Sequence, residues 1–290
     1  MIILRTRSEA LAWRAELDRG RFEDRPRVAL VPTMGSFHEG HLELMREGRR
    51  RVGEDGVVAI SIFVNPTQFG PGEDLDQYPR DEAGDLAKAS TAEVDVAFCP
   101  TDPNEMYARS RTWVEVEGLD QYLCGRARPN HFRGVCTVVT KLWGLIRPDI
   151  GIFGEKDFQQ LAILRRLHTD LNLCGEVLGM PITRESDGLA MSSRNANLDP
   201  RARDVALNLS RFLAEVRRRF AAGERRASAL LEGARTILAP ARVDYAELVD
   251  ADELSPVEVI ERHSLAAVAA FVPSVAGGEV RLIDNTVLRP

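Results

Sequence analysis

The feature that most constrains the fold is an alternation of short apolar runs with amphipathic stretches between residues 28 and 178. The apolar runs predict five strands, at 28–32, 57–64, 94–99, 150–153 and 176–178. The amphipathic stretches between them predict helices at 42–51, 80–90, 132–146 and 158–171. Because these strands are apolar throughout rather than at every second residue, they are typical of a parallel sheet with helices on both faces.

The pattern changes after Pro181, where a polar segment over 184–200 begins. Helical periodicity then covers 201–222 and 227–238, and strand-like runs follow at 243–249, 265–272 and 280–283. This is α+β material. The sequence therefore predicts two domains: a catalytic domain over 1–182 and a smaller C-terminal lid domain over 183–290.

Composition excludes several classes of protein. The 290 residues carry a net charge of -6 and the pI is about 5.5, which argues against a nucleic-acid binder, since such proteins present a basic face. The four cysteines form no CxxC pair, which excludes the common zinc spacings and favours free thiols. The longest apolar run, 265–272, is well short of the roughly 20 residues of a membrane span. The N-terminus has no signal-peptide pattern. We expect a cytoplasmic protein with no membrane and no nucleic-acid partner.

The first segment with chemical potential is VPTMGSFHEGH, directly after the first predicted strand. Gly35 and Gly40 let the backbone approach a ligand, and His38 and His41 lie about one helical turn apart. A turn from a strand into a helix N-terminus binds anions, because free N–H groups and the helix dipole point outward. The pattern favours a phosphate site. Metal ligation is an alternative, although no third ligand stands at an obvious spacing.

The second segment is SIFVNPTQFG, at the end of the second predicted strand. Asn65 and Gln68 offer neutral donors and acceptors that suit hydroxyls and carboxylates. An Asn-Pro turn with a capping glutamine would use the same residues. Local chemistry leaves both interpretations open.

The third segment is FGEKDFQQ, after the strand at 150–153. Gly154 allows a tight exit and Asp157 can cap the next helix. Lys156 is a mobile cation able to reach a phosphate, although an isolated lysine is more often solvated surface. Gln159 and Gln160 point in different directions, so we expect only one of them to face a ligand.

The fourth segment is DGLAMSSR, at the start of the predicted second domain. The hydroxyls of Ser192 and Ser193 beside Arg194 suit a mobile lid that grips a triphosphate. Segments rich in serine are also common as plain linkers. The lid interpretation depends on the other three segments.

In this order, PTMGSFHEGH, SIFVNPTQF, RPNHFRGVCTVVTKL, FGEKDFQQL and DGLAMSSRN resemble the pantothenate synthetase (pantoate–β-alanine ligase) family of the HxGH adenylyltransferase superfamily. The likeness continues through DYAEL at 244–248 and RLIDN at 281–285, so it covers nearly the whole chain. HxGH alone is weak, because class I aminoacyl-tRNA synthetases and small nucleotidyltransferases share it. Five ordered segments are specific.

The resemblance implies a Rossmann-like domain with a smaller α+β lid domain, assembled as a homodimer. It also implies the reaction. ATP drives the condensation of (R)-pantoate with β-alanine through a pantoyl-adenylate, with release of AMP and pyrophosphate and a requirement for Mg²⁺.

The resemblance further assigns roles to residues of this chain. The implied ATP-binding residues are Pro32, Thr33, Met34, Gly35, His38, Gly40, His41, Gly154, Glu155, Lys156, Asp157, Thr183, Met191, Ser192, Ser193 and Arg194. The implied pantoate-binding residues are Met34, Asn65, Gln68 and Gln160, of which Gln68 also binds β-alanine. The resemblance implies His41 as the catalytic histidine, and the need to stabilise charge on the phosphates adds His38 and Lys156 as expected catalytic residues. No protein residue is assigned to metal, and Mg²⁺ is expected on the ATP phosphates.

The chain departs from the family pattern in a few places. Ser36 and Phe37 replace a small residue or Asn followed by Leu. Thr183 stands where Val is usual, at a contact expected through the backbone to adenine. Gly84 replaces an acidic residue that some members carry, which removes one possible side-chain ligand of Mg²⁺. The stretch 273–279 resembles a short insertion.

Two rival interpretations remain. A different HxGH adenylyltransferase, such as a nucleotide-cofactor transferase or a tRNA-charging synthetase, fits less well. The chain is acidic, has no anticodon-binding extension, and carries paired glutamines that suit a small hydroxy acid. A non-catalytic nucleotide sensor would tolerate the loss of His41, Lys156 or Ser192, and all three are present. The preferred interpretation requires the two histidines, the glutamines and the lysine to converge on one nucleotide.

Overall fold

The computed structural model describes residues 1–19, 25–73, 75–76, 78–275 and 277–290. Its contacts divide the chain into two compact units. The first unit comprises Met1–Gly118, Ala127–Glu155 and Ile163–Met180. The second unit comprises Leu119–Arg126, Lys156–Ala162 and Pro181–Pro290. The division of function at residue 182 stays a prediction.

The first unit is built on a six-stranded parallel sheet in the order β1-β4-β3-β2-β5-β6. Its strands are β1 (Ile2–Leu4), β2 (Val28–Thr33), β3 (Val57–Ile62), β4 (Val96–Phe98), β5 (Ile150–Gly154) and β6 (Glu176–Met180). The predicted fold class is confirmed. β1 was not predicted, because it has only three residues, two of them exposed, and so shows no hydrophobic periodicity.

The helices that precede residue 171 are mostly amphipathic, and two of them begin at a side-chain cap. They are α1 (Arg7–Leu17), α2 (Glu39–Val52), α3 (Glu82–Thr91), α4 (Asn104–Tyr107), α5 (Leu123–Ala127), α6 (His131–Ile146) and α7 (Phe158–Asp170). A capping box starts α1, where the Thr6 hydroxyl accepts from the Glu9 amide at 3.1 Å. Asp81 starts α3 by accepting from the Gly84 amide at 3.0 Å. Gly84 thus contributes its backbone N–H to the cap, and a Cβ at this position would lie 2.1 Å from the Asp81 carboxylate.

Helices α2 and α6 cover opposite faces of the sheet. A Cβ on Gly48 of α2 would meet Ile152 of β5, which belongs to the same core cluster as Met45. A Cβ on Gly151, the adjacent residue of β5, would lie 2.2 Å from the Trp143 ring of α6. Because successive strand residues point to opposite faces, α2 and α6 lie on opposite sides.

The sheet opens beside β2 at its carboxyl edge. β2 pairs with β3 along its whole length, from Val28 to Thr33. Among the described residues, β2 pairs with β5 only at Ala29 and Leu30. The chain also reverses its winding direction here, since β3 and β4 lie on one side of β2 while β5 and β6 lie on the other. Ligands of open α/β sheets bind in crevices of this kind.

The second unit has a three-stranded antiparallel sheet packed against helices, as predicted for α+β material. Its strands are β7 (Arg242–Asp250), β8 (Ser264–Pro273) and β9 (Glu279–Leu288), and its helices are α8 (Pro200–Ala221) and α9 (Ala227–Arg235). Asp199 caps α8 and Pro200 occupies its first turn. The expected insertion at 273–279 is the connection between β8 and β9, and Ala276 lies outside the described residues. Within the described residues, no helix is long and apolar enough to span a membrane.

Candidate active site

The turn from β2 into α2 is shaped by a carboxylate distant in sequence. Asp85, which is 1% exposed, accepts the backbone N–H groups of Ser36 and Phe37, each at 2.7 Å. Gly35 has φ 85° and Ser36 has φ 55°, and a Cβ on Gly35 would lie 2.8 Å from the Asp85 carboxylate. The turn therefore needs glycine at 35 and an acceptor at 85. Lys88, one helical turn after Asp85, donates to the Phe37 carbonyl at 2.9 Å.

The two histidines meet at the start of α2, as the HxGH spacing predicted. The ring centroids of His38 and His41 lie 4.1 Å apart. The backbone N–H of His38 donates to Nδ1 of His41 at 3.4 Å. Because Nδ1 accepts, the neutral His41 ring carries its proton on Nε2, which is then a donor. Both rings are half-buried at a helix N-terminus, where an anion is favoured.

The turn after β3 brings Gln68 to Met34. Residues Pro66–Gln68 form a 3-10 turn that starts at Asn65, and Asn65 is 1% exposed. Nε2 of Gln68 lies 3.3 Å from Sδ of Met34. Three residues implied as pantoate ligands, Met34, Asn65 and Gln68, thus lie together in the first unit.

The RPNHFRG segment holds the backbone of this turn. His131 Nδ1 lies 2.8 Å from the Gln68 carbonyl and therefore donates to it. Arg128 donates to the same carbonyl at 3.3 Å and pairs with Glu73 at 2.5 Å, which lowers the pKa of Glu73. A Cβ on Gly134 would lie 2.5 Å from the Thr67 carbonyl. The segment thus fixes the backbone of Gln68 through its carbonyl.

Lys156 is held by strand β9 of the second unit. The side-chain amide of Asn285 donates to the Lys156 carbonyl at 2.9 Å. The carboxylate of Asp284 accepts two bonds from Arg184, at 2.7 and 2.9 Å. Burial lowers the pKa of Lys156; Asp157 and Asp284 oppose the shift and Arg194 adds to it. These contacts give the RLIDN segment a structural role.

Lys156 and Ser192 line the same cavity of about 10 Å³ in the second unit, together with Asn195 and Asp284. Nδ2 of Asn195 donates to Glu185 Oε1 at 2.7 Å and to the Ala190 carbonyl at 3.1 Å. The segment 192–197 is therefore an ordered turn. It begins at Ser192, whose hydroxyl accepts from the Arg194 amide.

Two further expectations concern this unit. The Met191 amide donates to the Thr183 carbonyl at 3.0 Å, which places these two implied nucleotide contacts side by side.

Gln159 is buried and all its side-chain bonds are internal. Its oxygen accepts from the Cys124 amide at 2.9 Å, and its nitrogen donates to the Leu119 and Tyr122 carbonyls. Gln159 is structural, so Gln160 is the glutamine of the pair to consider for a ligand.

Sequence reasoning missed Asp85 and Tyr107 as contributors to these turns, and it quoted Asp284 and Asn285 without giving them a role. Asp85 lies in the first turn of a helix, where acidic residues are common for reasons unrelated to function. Nothing in the local pattern distinguishes it. The convergence of all implied residues on one nucleotide stays a prediction.

Comparison with known proteins decides the family. The family model described as pantoate-β-alanine ligase matches residues 3–287. A curated relative, pantothenate synthetase of Anaeromyxobacter dehalogenans, is 52% identical over 284 residues and 96% of each chain is covered.

The chain belongs to the pantoate–β-alanine ligase family.

Solved structures agree with this assignment to the pantoate–β-alanine ligases. The crystal structure of pantothenate synthetase from Thermus thermophilus matches with a TM-score of 0.89 and 41% identity over 100% of both chains. A second structure is pantoate–β-alanine ligase from Francisella tularensis, complexed with β-γ ATP and β-alanine. It matches with a TM-score of 0.77 and 27% identity, over 99% of this chain and 97% of that one. Members of the family are ligases that form an amide bond.

Proposed function

We propose that this chain condenses (R)-pantoate with β-alanine at the expense of ATP, through a pantoyl-adenylate. The observation that carries the proposal is the family match over residues 3–287 together with the paired imidazoles of His38 and His41 at the start of α2. The Francisella relative, complexed with β-γ ATP and β-alanine, supports the same substrates.

The proposed ATP ligands are the residues that the resemblance implied. They are Pro32, Thr33, Met34, Gly35, His38, Gly40 and His41 around α2, Gly154, Glu155, Lys156 and Asp157 after β5, and Thr183, Met191, Ser192, Ser193 and Arg194 in the second unit. The His41 ring supplies a donor at Nε2, as the contact at Nδ1 requires. Lys156 supplies a cation.

In the first proposed step, a pantoate carboxylate oxygen attacks the α-phosphorus of ATP and pyrophosphate leaves. Nucleophile and target are both anionic, so donors and cations placed where charge develops lower the barrier. His38, His41 and Lys156 are proposed in that role, with Ser192, Ser193 and Arg194. Loss of one such donor commonly costs about 100-fold to 1,000-fold in rate.

In the second proposed step, the amine of β-alanine attacks the acyl carbon, AMP leaves, and the nitrogen loses a proton. Gln68 and Gln160, with Met34 and Asn65, are proposed to orient pantoate, and Gln68 also to bind β-alanine. Neutral glutamines suit this task because a fixed cation would compete for the carboxylate that must act as nucleophile.

Magnesium is proposed to accompany ATP. Among the described residues, no group of three or more His, Cys, Asp or Glu side chains could hold a metal ion, and Asp85 already accepts two backbone N–H groups. This donor set fits an ion carried mainly by the phosphates, where it neutralises charge. We further propose a cytoplasmic homodimer in which residues 183–290 act as a lid that keeps water from the adenylate.

The test is to incubate the protein with ATP, Mg²⁺ and pantoate, with and without β-alanine. Release of AMP that depends on both organic substrates, and pyrophosphate–ATP exchange that depends on pantoate alone, are expected. His41→Ala should lose more than roughly tenfold in exchange while staying folded. His263→Ala, at an exposed position outside the proposed site, should not.

Two outcomes would overturn the proposal. Exchange driven by a different acid would indicate another adenylyltransferase, and ATP binding without any exchange would indicate a sensor.

A further inference from the structure

The orientation of the Asn65 side-chain amide follows from two backbone groups. The Thr67 backbone N–H, which can only donate, lies 3.4 Å from one terminal atom of Asn65. The Gly134 carbonyl, which can only accept, lies 3.2 Å from the other terminal atom. The first atom is therefore the oxygen and the second the nitrogen, because a side-chain amide rotated by 180° would break both contacts.

The orientation of Asn65 in turn determines that of Gln68. The Asn65 nitrogen lies 3.0 Å from one terminal atom of Gln68. An amide nitrogen only donates, so this atom of Gln68 is its oxygen. The Gln68 nitrogen is then the outer atom, next to Sδ of Met34 at 3.3 Å. The Gln68 side chain thus presents donors rather than an acceptor.

Two hydroxyls reinforce this arrangement. The Tyr107 hydroxyl donates to the Asn65 oxygen at 2.8 Å. The Thr67 hydroxyl has one proton to donate, and its oxygen lies 2.9 Å from the Asn65 oxygen and 3.2 Å from the Tyr107 oxygen. If Asn65 flipped, these hydroxyls would face its nitrogen and Gly134 would face its oxygen. Burial raises the pKa of Tyr107, so its hydroxyl stays protonated and remains a donor.

We propose that Tyr107 and Thr67 are positioning residues that, through Asn65, keep the donor end of the Gln68 amide directed at the acid substrate. The inference rests on the proposed role of Gln68 in binding pantoate. It assigns Asn65 to orienting Gln68 rather than to direct contact with pantoate, because its oxygen lies within hydrogen-bond distance of three donor groups and its nitrogen donates twice.

The consequence is selectivity for acceptor groups on the acid substrate. A carboxylate or hydroxyl oxygen pairs with the N–H groups of Gln68, whereas an amide carbonyl turned outward would repel a carboxylate. The chain thereby obtains a fixed donor without a cation, which leaves the pantoate carboxylate free to react.

The test compares Tyr107→Phe and Thr67→Val with the unaltered enzyme. Loss of one hydroxyl should raise the KM for pantoate about threefold to tenfold, because one neutral hydrogen bond is removed. The KM for ATP should not change. Tyr245→Phe, which removes the hydroxyl of a buried tyrosine in the C-terminal sheet, is the matched control and should leave both constants unchanged.

Dependence on Gln68 is tested in a Gln68→Ala background. If Tyr107 acts through Gln68, Tyr107→Phe should add no further increase in the pantoate KM there. An equal increase in both backgrounds, or a parallel rise in the ATP KM, would overturn the proposal and indicate a general structural role.

Failure of the proposed function gives a different result. In that case the unaltered protein shows no exchange that depends on pantoate. The orientation is then tested directly, by a crystal structure at a resolution that distinguishes nitrogen from oxygen in Asn65 and Gln68. A Gln68 nitrogen facing Asn65 would refute the inference whatever the substrate.

Discussion

At the scale of single residues, the proposed site depends on the missing Cβ of Gly134, on the tautomer of His41 and on the pKa of Lys156. Gly134 has no Cβ, and helix α6 can therefore lie directly against the Asn65–Gln68 turn. His41 accepts at Nδ1, which makes Nε2 its donor. Lys156 has a lowered pKa because burial disfavours its charged form. Each of these properties leads to a measurement.

Gly134→Ala should disturb pantoate binding and stability together. The new Cβ would lie 2.5 Å from the Thr67 carbonyl and 2.7 Å from the backbone nitrogen of Gln68, so the turn must shift. We expect a loss of about 1–3 kcal/mol in the free energy of unfolding and a higher KM for pantoate, measured by urea unfolding and steady-state kinetics. Gly144→Ala in the same helix meets nothing within 4 Å and should be neutral or stabilising. Equal effects of both changes would contradict the argument.

Binding of ATP should be accompanied by proton uptake at Lys156. Burial lowers the pKa of the free lysine, and a bound polyphosphate would raise it. At a pH between these two values the lysine is neutral before binding and charged afterwards, so one proton enters. Calorimetry in two buffers of different ionisation enthalpy measures this uptake. Lys156→Arg, which is charged throughout, should abolish it, and an unchanged value would exclude Lys156 as the group.

At the scale of elements, turns at strand ends are held by groups from other elements. The β2–α2 turn depends on Asp85 of α3. The turn that carries Lys156 depends on Asn285 of β9. A turn supported in this way is pre-organised, which reduces the cost of ordering it around a nucleotide.

Asp85→Asn should weaken ATP use. An amide nitrogen cannot accept, so one of the two bonds from the Ser36 and Phe37 amides is lost and that amide is left buried. We expect kcat/KM for ATP to fall roughly tenfold or more, as measured by pyrophosphate exchange. Asp81→Asn, at the N-cap of the same helix, retains a capping oxygen and should behave as the parent. Activity of Asp85→Asn at the parental level would show that the turn holds without the carboxylate.

Asn285→Ala should raise the KM for ATP and leave the KM for pantoate unchanged. The substitution removes the donor to the Lys156 carbonyl at 2.9 Å and loosens the turn that presents the ammonium. A rise of about threefold to tenfold is expected for one hydrogen bond. Asn208→Ala removes a similar bond, to the Ala239 carbonyl at 2.9 Å, and serves as the control. A change confined to pantoate would contradict the assignment.

At the scale of the whole molecule, the two compact units are interleaved along the chain. Segments 119–126 and 156–162 belong to the second unit although they precede residue 182. Within that unit, Arg126 pairs with Glu247 at 2.5 Å and Lys156 is held by Asn285. A cut at residue 182 separates these partners.

A fragment of residues 1–182 should therefore be less stable than the whole chain. It keeps the six-stranded sheet but exposes the apolar side of segment 119–126, where Leu119 and Leu123 are 5% and 2% exposed. We expect a lower and broader thermal transition by circular dichroism. Cooperative unfolding of the fragment at the temperature of the full chain would show that the domain predicted over 1–182 is self-sufficient.

Apart from β1 and the last five residues of β9, the strands of both sheets were predicted to within two residues at each end, because hydrophobic periodicity is local. Helix α1 was not predicted, because Ala10 and Arg14 are its only buried residues and it therefore shows little apolar periodicity. The HxGH pair and the glutamine turn were recognised because each lies within one short segment. Asp85 and Tyr107 were not, since they contact residues 49 and 42 positions away.

The sequence by itself determined most of the helices and strands, the parallel class of the first sheet and the family. These properties depend on the order of residue types over short distances, which the chain carries in any conformation. Only the tertiary structure decided which terminal atom of Gln68 faces outward, which acid supports the β2–α2 turn, and which strand holds Lys156. Those properties arise from hydrogen bonds between elements, and such bonds exist only after the sheet order has brought the elements together.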